Sequence, residues 1–177
     1  MSHYCIGVDW MREYTIRSYD REAALAYAEK WSFSRNPDYY DFSEIGGDCT
    51  NFISQCIYEG CKVMNPTQYV GWYYYNVNNR SAAWTGVPFF YKFMIHNEGI
   101  GPYMREVEHP SLLLPGDVIQ FGNEGKGWHH NLLVLQTGSN YDEVLIATHT
   151  YDAYNRPLSS YSFSMIRFLH IEGIRVY

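Results

Sequence analysis

The chain has 177 residues, 46% of them hydrophobic and 18% charged, which suits one folded domain and excludes a disordered tail or a charged coiled coil. Its net charge is −6 with no Lys/Arg run, so a nucleic-acid partner is not expected. No apolar stretch approaches the roughly 20 residues that span a bilayer, and four cysteines are too few for a disulfide scaffold at this length.

Met1 to Tyr14 alternates polar and apolar residues without a signal-type hydrophobic segment, and residues 1–18 are set apart as an N-terminal arm, leaving 19–177 as a single domain. A first helix is expected from Arg21 to Trp31, with Asp20 as its N-cap and Ala24, Tyr27, Ala28 and Trp31 on one stripe. Arg35-Asn36-Pro37 and Gly46-Gly47 mark a loop that opens a second helix, Cys49 to about Glu59, with Phe52, Ile53, Cys56 and Ile57 toward the core and Gly60 as its stop. From Lys62 to about Pro110 the pattern is weak and crowded with aromatics, apart from a short helix near Val87 to Asn97. The last third predicts strands at 117–121, 130–136, 144–149 and 163–171. Helices followed by an antiparallel sheet define an α+β domain.

The candidate chemistry starts at Cys49. At a helix start the free amides and the positive end of the dipole favour a thiolate, lowering a cysteine pKa below its usual ~8.5. Asp48 can cap that helix, but its carboxylate opposes the effect, so a cationic partner is required. A cysteine in this position is equally compatible with an incidental first-turn residue, and Cys56 and Cys61 read as small buried hydrophobes. Among the seven histidines, strand geometry singles out two. A hairpin centred on Ser139 and Asn140 places His130 opposite His149 on one face, with His129 pointing the other way. Cysteine, base and orienting residue together have the logic of a thiol hydrolase. A one-residue change of register would instead leave Asp152 or Asn131 as the third member. Zinc held by Cys49, His130, His149 and a carboxylate is the weaker alternative, because no paired chelating spacing is present.

Gly47-Asp48-Cys49-Thr50-Asn51-Phe52-Ile53-Ser54-Gln55-Cys56, with Trp84-Thr85-Gly86-Val87, Gly116-Asp117-Val118-Ile119-Gln120 and Trp128-His129-His130, resembles the bacterial putative amidase domain family. That family belongs to the papain-like superfamily of NlpC-type and CHAP cell-wall peptidases. The resemblance runs from about Tyr19 to the C-terminus. It implies a papain-like fold, Cys49 as nucleophile, His130 as base and His149 as the polar third residue. Asn131 departs from the Ser or Thr common after the base in relatives, and the first 18 residues match no known pattern. The resemblance also implies a cysteine amidase or peptidase of bacterial or phage origin. Such an enzyme would act as a monomer on peptidoglycan or a peptide, without cofactor or metal. Trp72, Trp84 and Trp128 are candidate walls of the substrate groove, although Trp72 and Trp84 would serve equally as core, and Asp48 is grouped with them as a substrate contact. Two other readings share the scaffold: a catalytically silent glycan- or peptide-binding domain, and an acyltransferase using the same thiol.

Overall fold

The computed structural model describes residues 13–177. A short strand, β1 (Thr15–Arg17), lies inside the segment set apart as an arm and pairs with the last strand of the chain. Helix α1 (Arg21–Trp31) starts as the sequence predicts, with the Asp20 carboxylate accepting from the Ala23 N–H at 3.0 Å. Helix α2 (Cys49–Cys61) begins at the expected residue but runs through Gly60 and ends at Lys62 in a left-handed conformation. Gly60 serves close approach and not termination. A Cβ there would lie 2.2 Å from Tyr19 Cε2 and 2.6 Å from Asp20 O, and the Gly60 carbonyl accepts the Asp20 N–H at 3.0 Å, tying the end of α2 to the start of α1.

The aromatic middle forms a small hairpin, β2 (Tyr74–Asn76) and β3 (Asn79–Arg80), then α3 (Ala82–Thr85), α4 (Val87–His96) and β4 (Gly101–Val107). Strands β5 (Val118–Asn123), β6 (Gly127–Gln136), β7 (Leu145–Thr148), β8 (Ala153–Pro157) and β9 (Met165–Val176) complete the chain. The main sheet has seven antiparallel strands in the order β1-β9-β5-β6-β7-β8, with β4 on the second edge of β9. The α+β class therefore stands.

Alternation divides the sheet into two faces. Val118, Leu133, Ala147 and Leu169 face the helices and join one core with Phe52, Ile53 and Phe90. Ile119, Leu132, Val134, Ile146 and Phe168 form a second core on the far side with Leu113 and Leu158. Trp72 and Trp84 have no exposed surface and pack ring to ring at 4.7 Å in the first core, so they are core residues and not groove walls.

The β6–β7 register differs by one residue from the expected one. Leu133 pairs with Ala147 and Val134 with Ile146, and an irregularity before Gln136 displaces the symmetric turn assumed from the sequence. Paired strand structure ends at Thr148, and the chain then turns through Thr150 and Tyr151, both at positive φ (61° and 71°). His149 consequently does not sit opposite His130.

Candidate active site

Cys49 occupies the first position of α2 and is 6% exposed. Its sulfur lies 3.8 Å from Thr50 Oγ1, with either group able to donate, and the backbone groups of Asn131 and Thr50 favour its thiolate form. The carbonyl of Asn131 accepts from the Thr148 hydroxyl at 2.8 Å. In an antiparallel strand the N–H and C=O of one residue point to the same edge, so the sulfur sits at the β7 edge of β6, where β7 turns away. The Asn131 side chain closes the contact by donating to Thr50 Oγ1 at 3.0 Å.

Burial pushes the Cys49 thiol above its ordinary range, the Asp48 charge acts in the same direction, and the three donors oppose them. Cys49 therefore rests as a thiol, against the thiolate expected from the helix start alone. Burial raises the thiols of Cys56 and Cys61 as well, that of Cys61 to about 12. These three cysteines are free. Cys5 lies outside the described residues.

His130 is the neighbour of Asn131 and is 6% exposed, with its ring on the far face between Phe121 at 4.9 Å and Tyr161 at 6.1 Å. Its Nε2 lies 3.4 Å from Thr148 Oγ1. With the Thr148 hydroxyl proton directed to the Asn131 carbonyl, Nε2–H donates to Thr148 and Nδ1 keeps the free lone pair. No hydrogen bond joins the ring to Cys49 Sγ; the ring packs on Phe121 on the far face, whereas the next residue, Asn131, is tied to Thr50 beside Cys49. Desolvation, aided by His129, pushes the His130 pKa down to about 4.

This depression has a consequence for stability. Between a histidine's ordinary 6.5 and about 4 the unfolded chain binds a proton that the fold does not, so acid favours unfolding. The contribution is present above about pH 6.5 and is lost as pH falls toward 4, reaching about 3 kcal/mol. Denaturant unfolding measured across this window should show the loss, and His130→Gln should flatten it. An unchanged slope in His130→Gln would refute the assignment.

His149 is turned to a different task. Its Nδ1 meets Asp48 Oδ2 at 2.6 Å and its Nε2 meets the Trp31 carbonyl at 2.9 Å, so both ring nitrogens are engaged. The Phe52 ring stacks on it at 3.9 Å. Asp48 is fully buried and makes no side-chain cap to α2. Its Oδ1 instead accepts from the Phe42 N–H at 3.0 Å and Asn51 Nδ2 at 2.8 Å, while its own N–H donates to Thr150 Oγ1 at 2.8 Å. A residue so enclosed does not contact substrate. Of the two alternatives for the third member, Asn131 is bound to Thr50, and Asp152 forms a two-pronged pair with Arg35 at 2.9 Å for each bond.

The signature segment is thus a row of tied side chains. Thr50 holds Asn131, Ser54 bridges the Trp72 indole N–H (3.0 Å) and the Trp84 carbonyl (2.9 Å), and Asn51 accepts from the Trp84 indole at 3.0 Å. Gln55 accepts from the Tyr27 hydroxyl at 2.6 Å. Asp117, from the Gly116–Gln120 motif, is buried and holds Arg21 at 2.8 Å and His170 at 2.7 Å. Trp128, the remaining candidate wall, is half-buried beneath the Arg167 guanidinium at 4.0 Å.

Two surface clefts, one between the 65–70 loop and α4 and one beside α1, contain neither Cys49 nor His130. Among the described residues, no three of His, Cys, Asp and Glu are grouped as metal ligands, and the set considered for zinc is divided by the Asp48–His149 pair. No helix among them is long and apolar enough to cross a membrane.

No solved structure matches the chain significantly. The uncharacterized protein YhbB of Bacillus subtilis (strain 168) is 35% identical over 140 residues, which cover 78% of this chain and 43% of YhbB, so the chain spans less than half the length of that relative. The pattern of the family described as "Putative amidase domain" matches residues 18–171. That interval holds Cys49, His130, the buried ties around them and the whole helix–sheet contact, and an amidase is a hydrolase of C–N bonds: the chain belongs to the putative amidase domain family.

Proposed function

We propose that the protein is a cysteine-dependent amide hydrolase on a papain-like, NlpC-type scaffold, with Cys49 as nucleophile and His130 as base, acting on cell-wall peptidoglycan. The observation that carries this reading is the placement of Cys49 at the head of α2, where the next residue, Thr50, is bonded to Asn131, the neighbour of His130 in β6. A buried thiol beside a neutral imidazole transfers its proton as it attacks, not beforehand. The Cys49 sulfur adds to the amide carbonyl while His130 Nδ1 takes the thiol proton. The oxyanion is met by the Cys49 N–H, which at the head of α2 has no intrahelical acceptor. His130 then returns the proton to the leaving amine, and water cleaves the thioester with His130 again as base. Hydrogen bonds of this kind tighten once substrate binds.

Thr148 takes the orienting place that the sequence assigned to His149, because it alone reaches Nε2 of His130 within the main sheet. His149 and Asp48 act one step back, holding the loop that presents Cys49. Incubation with purified cell walls should release new amino groups without the reducing sugar ends that a glycosidase makes. Release of reducing ends alone, or no amine from walls of several bacteria, would overturn the substrate assignment.

A further inference from the structure

The arginines among the described residues are, with one exception, paired. Arg21, Arg35 and Arg105 reach carboxylates, and Arg17, Arg80, Arg156 and Arg175 reach backbone carbonyls. Among the described residues Arg167 alone does neither. It is 9% exposed, its Nε donates to Gln120 Oε1 at 2.8 Å, and its guanidinium lies between two rings, 3.3 Å from the centre of Tyr91 and 4.0 Å from that of Trp128. The Tyr91 hydroxyl is its other polar neighbour and donates at 2.9 Å to Glu106, whose charge acts on Arg167 from beyond ion-pair distance. Gln120 is fixed in turn by donating to the Val87 carbonyl at 3.2 Å. A charge desolvated between rigid rings, with no carboxylate at ion-pair distance, leaves a fork that an external planar anion can meet.

Its position relates it to Cys49. Asn131, Gln120 and Arg167 are in register across β6, β5 and β9, on the face that carries the helices. Neighbouring strands are about 4.8 Å apart, so Arg167 stands about 10 Å along this row from the residue that touches the thiol. An extended peptide advances about 3.4 Å per residue, which makes this a reach of about three residues.

We propose that Arg167, walled by Tyr91 and Trp128, binds a free carboxylate of the substrate about three residues from the scissile amide, making the enzyme selective for acidic peptides. This rests on the amidase reading above. The test is titration calorimetry of Cys49→Ala protein with acetyl-Ala-Glu-Lys and with the same peptide fully amidated. The free acid should bind at least about tenfold more tightly, the preference should vanish in Cys49→Ala/Arg167→Gln, and Arg167→Lys, which keeps the charge without the fork, should be intermediate. Equal affinity for the two peptides, binding of neither at millimolar concentration, or a preference that survives Arg167→Gln in folded protein would overturn the proposal. A preference that depends on Arg167 in a protein whose wild type releases no amine from cell walls upholds the carboxylate site and rejects the cell-wall reading. Cleaved walls with no preference do the reverse.

Discussion

Cys49→Ala is expected to abolish amine release from cell walls, with a loss on the order of 10⁴-fold or more in kcat, since only binding and the oxyanion donor remain. The substitution removes one sulfur at the head of α2 and leaves the Asp48, Asn51 and Phe52 contacts in place, so unfolding free energy should change by no more than about 1 kcal/mol. His130→Gln should lose nearly as much activity, and the double variant little more than either single one, because nucleophile and base act as a unit. His130→Ala is the less informative choice: it removes a buried ring packed on Phe121 and confuses activity with stability. Thr148→Val should retain measurable turnover, with the fall in kcat and not in KM, since it releases the imidazole without touching substrate. A Cys49→Ala protein that still releases amine would end the cysteine mechanism, whatever the family.

The parts of the fold legible in the sequence were those with a strong local signal. Asp20 before an Ala-rich stripe marks α1, and the Gly46-Gly47 loop with the apolar face from Phe52 to Ile57 marks α2. Strands β5, β6 and β7 obey alternation and the Pro115-Gly116 turn. Strand β4 begins with Gly101-Pro102 and β8 ends with Arg156-Pro157, combinations that read as turns. They become strands by pairing with neighbours already in the sheet, which is tertiary context. Gly60 misled for a related reason, because a helix stop and a close helix contact demand the same residue. The register near His149 depends on one irregularity in β6, and a one-residue difference is enough to exchange the partners of a buried histidine. The places of Cys49 at the head of α2 and of His130 in β6 were legible; the partners of each were not. Thr148 and Arg167 lie in no motif and Thr50 lies in one that does not name its partner, and only the packing of α2 against β6 and of Arg167 between two aromatic rings gives them a part to play.

His149→Ala is expected to destabilise the fold by about 3–5 kcal/mol, the range for removing one partner of a buried ion pair. Both side chains are 1% exposed. With the ring gone, Asp48 Oδ2 keeps only Arg35 Nε at 3.7 Å, while the Trp31 carbonyl keeps only the Ser34 N–H at 3.1 Å and Phe52 loses its stacking partner. A surface pair would cost far less, about 0–1 kcal/mol, so denaturant unfolding separates the two cases. Asp48→Asn removes the charge but keeps the shape, and in His149→Ala it relieves the uncompensated carboxylate. The double variant should therefore be more stable than the sum of the single losses predicts, by at least about 1 kcal/mol, the signature of coupled neighbours. Additive losses would show that Asp48 and His149 act independently. The same pair anchors the residue immediately before Cys49, so activity should fall together with the pair: kcat lowered in His149→Ala even at temperatures where the protein is fully folded, with KM little changed. A His149→Ala protein that is folded and fully active would show that the head of α2 holds its nucleophile without this buried tie.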